Sequence, residues 1–157
     1  MSGPDESGAG LAVLAPCAGD VVAIGDVPDP VFADEMVGPG VAISPPGGVT
    51  TVRSPIGGRV VKVLPHAFVV LGTGGTGVLV HLGIDTNRLE GDGFEVLATQ
   101  GDTVEAGAPM VRWDPAAVAE RGLSAIVPVV VMDAPKGSVS SDLVGSSAET
   151  GDVLFTV

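Results

Sequence analysis

Along most of the chain, short runs rich in Val, Leu and Ile alternate with clusters of Gly, Pro, Asp and Ser. β-Branched residues suit a pleated sheet better than a helix, and Gly and Pro punctuate it with turns. The pattern predicts strands over residues 11–15, 20–25, 40–44, 49–53, 58–64, 67–71, 77–82, 109–113, 126–132 and 152–157. One short helix is expected at 115–121, where Asp114 offers a cap, Pro115 suits the first helical position and Gly122 ends the run. Residues 1–10 are polar and read as a disordered leader before one domain over 11–157. The fold class expected is all-β: a flattened antiparallel sandwich or barrel with one or two very short helices.

Two patterns recur in the same order. The run from Pro16 to Ile24 returns from Pro55 to Val63 as P-x-x-G-x-V-V-x-[IV]. Gly101 to Gly107 returns from Gly145 to Gly151 as G-x-x-x-E-x-G. The repetition points to two related β half-units packed together, a duplicated hybrid motif of the lipoyl-carrier kind.

Aromatic residues make up 3% of the chain, so its core must be aliphatic. The formal net charge of −12 argues against nucleic acid and against docking on an anionic membrane. It fits a basic protein partner, and equally a solvated acidic face. Cys17 is the single cysteine, so no disulfide can form within the chain, and a small buried thiol is expected. The first ten residues lack the charged start of a signal peptide, and no apolar run approaches a membrane span. A cytoplasmic protein is expected.

The chain has two histidines, His66 and His81. Between them lie two apolar runs around a Gly-rich turn, which is a β-hairpin signature. The index sum of His66 and His81 equals that of Gly72 and Gly75. A tight turn on Thr73-Gly74 would therefore set the histidines directly opposite each other, their Cβ atoms about 5 Å apart. Phe68 and Leu79 would share their face, with Ala67, Val69 and Val80 on the other. Such a pair suits phosphoryl transfer: one imidazole attacks phosphorus while the other donates to the phosphoryl oxygens, with no metal required. Two surface histidines without a role would share the same spacing. A zinc site would need a third ligand, and neither H-x-H nor H-E-x-x-H occurs.

The segment Val80-His81-Leu82-Gly83-Ile84-Asp85-Thr86 resembles the active-site signature of the glucose-type IIA family of the bacterial sugar phosphotransferase system. Ala15 to Gly19, Asp26 to Ala33, Met36 to Ile43, Pro65 to Phe68, Leu89 to Phe94 and Pro128 to Val131 resemble further segments of that family in unbroken order. The resemblance implies a phosphocarrier, a phosphotransferase component working through a phosphohistidine, without a cofactor. His81 would be phosphorylated at Nε2 and His66 would stabilise the phosphoryl group. Asp29 and Asp85 would meet a basic partner from the rim. Val31, Phe32, Met36, Val37 and Leu79 would form an apolar patch around the site, with Phe32 exposed. The family often has Thr two residues before its second histidine; here Leu64 stands there, and Thr86 is the candidate replacement hydroxyl for phosphate. The implied donor is the small carrier protein HPr, and the acceptor is the IIB domain of a glucose or N-acetylglucosamine permease. The carrier is expected to be monomeric and not inserted in the membrane.

Two other functions compete. One is a regulatory module that binds protein targets according to its phosphorylation state, with little transfer flux. The other is a lysostaphin-type zinc peptidase on a related fold, which would need the missing H-x-H motif.

Overall fold

A computed structural model describes residues 10–157; residues 1–9 of the expected leader lie outside the described residues. The first half contains β1 (Ala12–Leu14), β2 (Gly19–Ala23), α1 (Pro30–Ala33), β3 (Gly40–Ser44), β4 (Thr50–Arg53), β5 (Gly58–Leu64) and β6 (Ala67–Leu71). The second contains β7 (Gly77–His81), β8 (Glu95–Val96), β9 (Thr103–Val104), β10 (Pro109–Trp113), α2 (Pro115–Glu120), β11 (Val127–Val131), β12 (Ser147–Ala148) and β13 (Val153–Thr156). The protein is all-β, with both α-helices very short. Both start alike: Asp29 and Asp114 accept from the backbone N–H two residues on, and Pro follows each cap.

The strands form an eight-stranded antiparallel sheet in the order β12-β2-β3-β11-β7-β6-β5-β9, with smaller sheets β4-β10-β8 and β1-β13. The main core joins residues of all three, including Val13, Val52, Phe68, Val80, Met110, Trp113, Val129 and Leu154. A second, smaller cluster on the other face of the large sheet contains Ile24, Val27, Phe32, Ala42, Ile84 and Val130. Strand β11 lies between the two and is buried on both faces, which is why its five residues are apolar without alternation. Cys17 is buried as expected, and burial pushes its thiol pKa up to about 12.

The internal repeat is a structural duplication. Exchanging β12 with β9, β2 with β5, β3 with β6 and β11 with β7 reads the large sheet from its other end. Backbone hydrogen bonds repeat with it. Leu14 N–H donates to Pro55 O and Arg53 N–H donates to Pro16 O, both at 2.9 Å. Gly145 N–H donates to Val21 O as Gly101 N–H donates to Val60 O. The repeated Gly19 and Gly58 sit where a neighbouring strand comes close: a Cβ would lie 2.3 Å from Ser44 O in one and 2.2 Å from Leu71 O in the other.

The hairpin register differs from the sequence expectation by one residue. Ala67 pairs with His81, Phe68 with Val80, and Leu71 with Gly77. The connection closes through Gly72 N–H to Thr76 O at 2.8 Å, one residue longer than the tight turn expected. Phe68, Val70, Val78 and Val80 thereby all enter the main core. Each such side chain contributes about 2 kcal/mol on burial, so the buried face decides the register rather than the histidines. Ala67, Val69, Leu79 and His81 take the opposite face. Thus Phe68 does not share the histidine face, whereas Ala67 and Val69 do.

Candidate functional site

His81 is the last residue of β7 and stands on the face away from the main core. His66 is not on β6; with Pro65 it forms the tight turn between β5 and β6, where Leu64 pairs with Ala67. Leu82 N–H donates to His66 O at 2.7 Å and ties that turn to the end of β7. The imidazoles meet edge to face, ring centroids 5.3 Å apart. The tip of the β5–β6 hairpin and the open end of the β6–β7 hairpin therefore bring the histidines together, instead of opposed positions on one hairpin.

The duplication shows how asymmetric this site is. Gly40 pairs with Val130 as Ala67 pairs with His81, and Val131 N–H donates to Pro39 O as Leu82 N–H does to His66 O. Pro39 and Val130 are therefore the counterparts of His66 and His81, and both are buried. One half-unit presents the histidines to solvent; the other covers the same place with apolar contacts.

The Nδ1 of His81 lies 2.6 Å from the carbonyl oxygen of Gly83. A carbonyl only accepts, so Nδ1 carries the proton and Nε2 keeps its lone pair. Burial lowers the His81 pKa below its usual value. The Gly83 hydrogen bond and the Asp29 and Asp85 carboxylates oppose that shift. For His66, burial and the neighbouring His81 both lower the pKa. At neutral pH both rings are neutral, so each has one nitrogen that can accept and one that can donate.

Around this pair the side chains divide. Phe32 is 6% exposed, not exposed as expected; its ring packs on His81 at 5.2 Å between centroids and belongs to the smaller cluster. Val37 and Leu79 are half-buried against the same cluster. Val31 is 43% and Met36 68% exposed, so these two supply the open apolar surface next to the α1 turn. Asp29 is half-buried, its Oδ1 taking the Val31 N–H at 2.9 Å, and Asp85 is exposed. Leu64 is 38% exposed and brings no hydroxyl. Thr86 does not supply one either: it is fully buried, and its hydroxyl donates to Leu82 O at 2.7 Å. Among the described residues no group of three or more His, Cys, Asp and Glu is placed to hold a metal ion.

The sequence pattern of the phosphoenolpyruvate-dependent sugar phosphotransferase system, EIIA 1, matches residues 11–136. The chain belongs to this EIIA family. The glucose-specific EIIA component of Staphylococcus aureus is 44% identical over 123 residues, spanning 77% of this chain and 73% of its own. That of Bacillus cereus is 38% identical over 141 residues, spanning 88% and 84%. The solved structure of glucose permease IIA from Mycoplasma capricolum superposes with a TM-score of 0.85 at 33% identity, covering 99% of both chains. The EIIA family accounts for the all-β fold and makes the chain a component of a sugar phosphotransferase system.

Sequence reasoning missed one participant in this candidate site, the Gly83 carbonyl, which fixes the protonation of His81. A signal was available. Gly follows His81 by two residues, and Gly83 has a φ of +80°, a conformation that favours glycine.

Proposed function

We propose that this EIIA chain accepts a phosphoryl group on Nε2 of His81 from phospho-HPr. It then hands the group to the IIB domain of a permease of the glucose or N-acetylglucosamine type. The observation that carries this reading is the 2.6 Å contact between His81 Nδ1 and Gly83 O, which leaves Nε2 as the nucleophile. The Nε2 lone pair forms the new N–P bond while the N–P bond of the donor breaks, and the departing imidazole keeps that electron pair. His81 becomes an N-phosphorylated imidazolium, its proton still on Nδ1. The Gly83 carbonyl and the carboxylates of Asp29 and Asp85 all favour that positive charge. His66 directs an N–H toward the phosphoryl oxygens, as electrostatic stabilisation of phosphoryl transfer requires. Val31 and Met36 dock the partner proteins and shield the labile bond from water, while Asp29 and Asp85 attract their basic residues.

Among the described residues no helix is long and apolar enough to cross a membrane. We place the carrier in the cytoplasm, where phospho-HPr would reach it, and as a monomer.

The test is intact mass after incubation with phosphoenolpyruvate, enzyme I and HPr, for wild type, His81→Ala and His66→Ala. A phosphate adduct on wild type and His66→Ala, absent from His81→Ala, is expected. No adduct on folded wild type with working upstream proteins would replace this reading with a regulatory module.

A further inference from the structure

We infer that Thr86 is a positioning residue for His81, acting through the Leu82–Thr86 turn and not through contact with phosphate. This rests on the reading of His81 as the phosphoryl acceptor. Thr86 presents two groups to the turn. Its hydroxyl donates to the carbonyl of Leu82, a fully buried residue, and its Cγ2 methyl lies under Gly83, where a Cβ on Gly83 would come within 2.6 Å. The 124–126 segment fastens the turn from its other side. Gly83 N–H donates to Ile126 O at 3.0 Å and Ile84 N–H to Ser124 O at 2.9 Å. Held on both sides, the turn keeps Gly83 left-handed and its carbonyl on His81 Nδ1.

The chemical consequence concerns the tautomer. A neutral imidazole carries its proton on either nitrogen. With the proton on Nε2, His81 has no lone pair to attack phosphorus at that atom. The Gly83 carbonyl selects the reactive form, and Thr86 holds the carbonyl where it can do so. A valine at 86 keeps the branched shape but loses the donor, leaving the Leu82 carbonyl unsatisfied in the interior. The turn then relaxes toward another donor and Gly83 O withdraws from the ring.

The test compares wild type, Thr86→Val and Thr86→Ser by two readouts. The first is the ring 15N chemical shifts of His81, which report the tautomer without any phosphoryl donor. The second is the rate of phosphoryl acceptance from phospho-HPr per folded molecule. Thr86→Val is expected to mix the His81 tautomers and slow acceptance roughly ten- to a hundredfold, the scale of an ångström-sized misplacement of a reacting group. Thr86→Ser, which keeps the hydroxyl, is expected to restore both. Should Thr86→Val not fold, Thr86→Ala serves in the same comparison. Unchanged ring shifts and rate in a folded donor-less variant would overturn the inference, even with lowered stability. So would a serine variant that behaves like valine. A wild type that accepts no phosphate would refute the proposed function instead, with the ring shifts still deciding the role of Thr86.

Discussion

Substituting Gly83 by Ala separates two costs at one position. The backbone cost is that of placing a Cβ at a φ of +80°, about 1–2 kcal/mol. The packing cost arises because that Cβ would lie 2.6 Å from Thr86 Cγ2 and 2.8 Å from Ser124 O, a methyl and a backbone oxygen that are both hemmed in. Overpacking of this kind adds about 1–3 kcal/mol. Gly122 supplies the control. Its φ is +82°, and a Cβ there meets nothing within 4 Å. Gly122→Ala should therefore lose the backbone term alone, and Gly83→Ala about 1–3 kcal/mol more, or about 2–4 °C of further melting shift per kcal/mol for a domain of this size. Urea unfolding followed by the fluorescence of Trp113, the single tryptophan, measures both variants under one protocol. Equal losses at the two glycines would show that the His81 turn is not tightly packed and would remove the physical basis for its rigidity.

Other expectations test the site and the core. Both histidine pKa values are lowered below 6.5 by folding, so the unfolded chain binds more protons as pH falls past that value. Stability should therefore decline as pH drops through 6.5 toward the folded pKa values, and His81→Ala should flatten that decline; urea titrations across pH would detect a slope unaffected by the variant. Asp85 is left-handed at φ +61°, a conformation Asn tolerates, so Asp85→Asn should fold normally. Losing its charge should move the His81 titration midpoint further down in NMR, and a midpoint that rises would contradict the assigned electrostatics. Trp113 is buried with an Nε1–H that has no partner, and it stacks on Phe94 at 5.8 Å. Trp113→Phe keeps most of the buried ring and its stacking on Phe94, so it should cost about 2 kcal/mol less than Trp113→Ala, itself worth about 3–5 kcal/mol, by circular dichroism unfolding; equal costs would show that ring packing at this position does not stabilise the core.

Strands long enough to alternate or to run apolar were legible in the sequence. Residues 109–113 are β10 to the residue, and the runs at 49–53, 77–82 and 126–132 each overshoot a strand by one residue or two. The Asp-Pro signal located α2, yet the same signal at Asp29-Pro30 went unread because four residues of helix leave no periodicity to see. Strands β8, β9 and β12 have two residues each and depend on backbone partners far along the chain, which local pattern does not contain. The duplication was legible because the same close approach demands Gly at 19 and at 58. The two histidines are legible in the sequence but their register is not: Gly spacing does not give the loop length, because burial of Phe68 and Val80 sets it. Phe32 and Thr86 were misplaced for a related reason. Polar neighbours made Phe32 look exposed, and a hydroxyl near a histidine looked free, while the smaller cluster and the Leu82 carbonyl had already taken them.

In the proposed function Nε2 of His81 carries the phosphoryl group while Nδ1 stays bonded to Gly83. One measurement addresses it directly: 15N–31P coupling in the chain labelled with 15N-histidine and phosphorylated through HPr. Coupling to Nε2 of His81, with a proton retained on Nδ1, is the expected result. Coupling to Nδ1 of His81, or to either nitrogen of His66, would contradict the account.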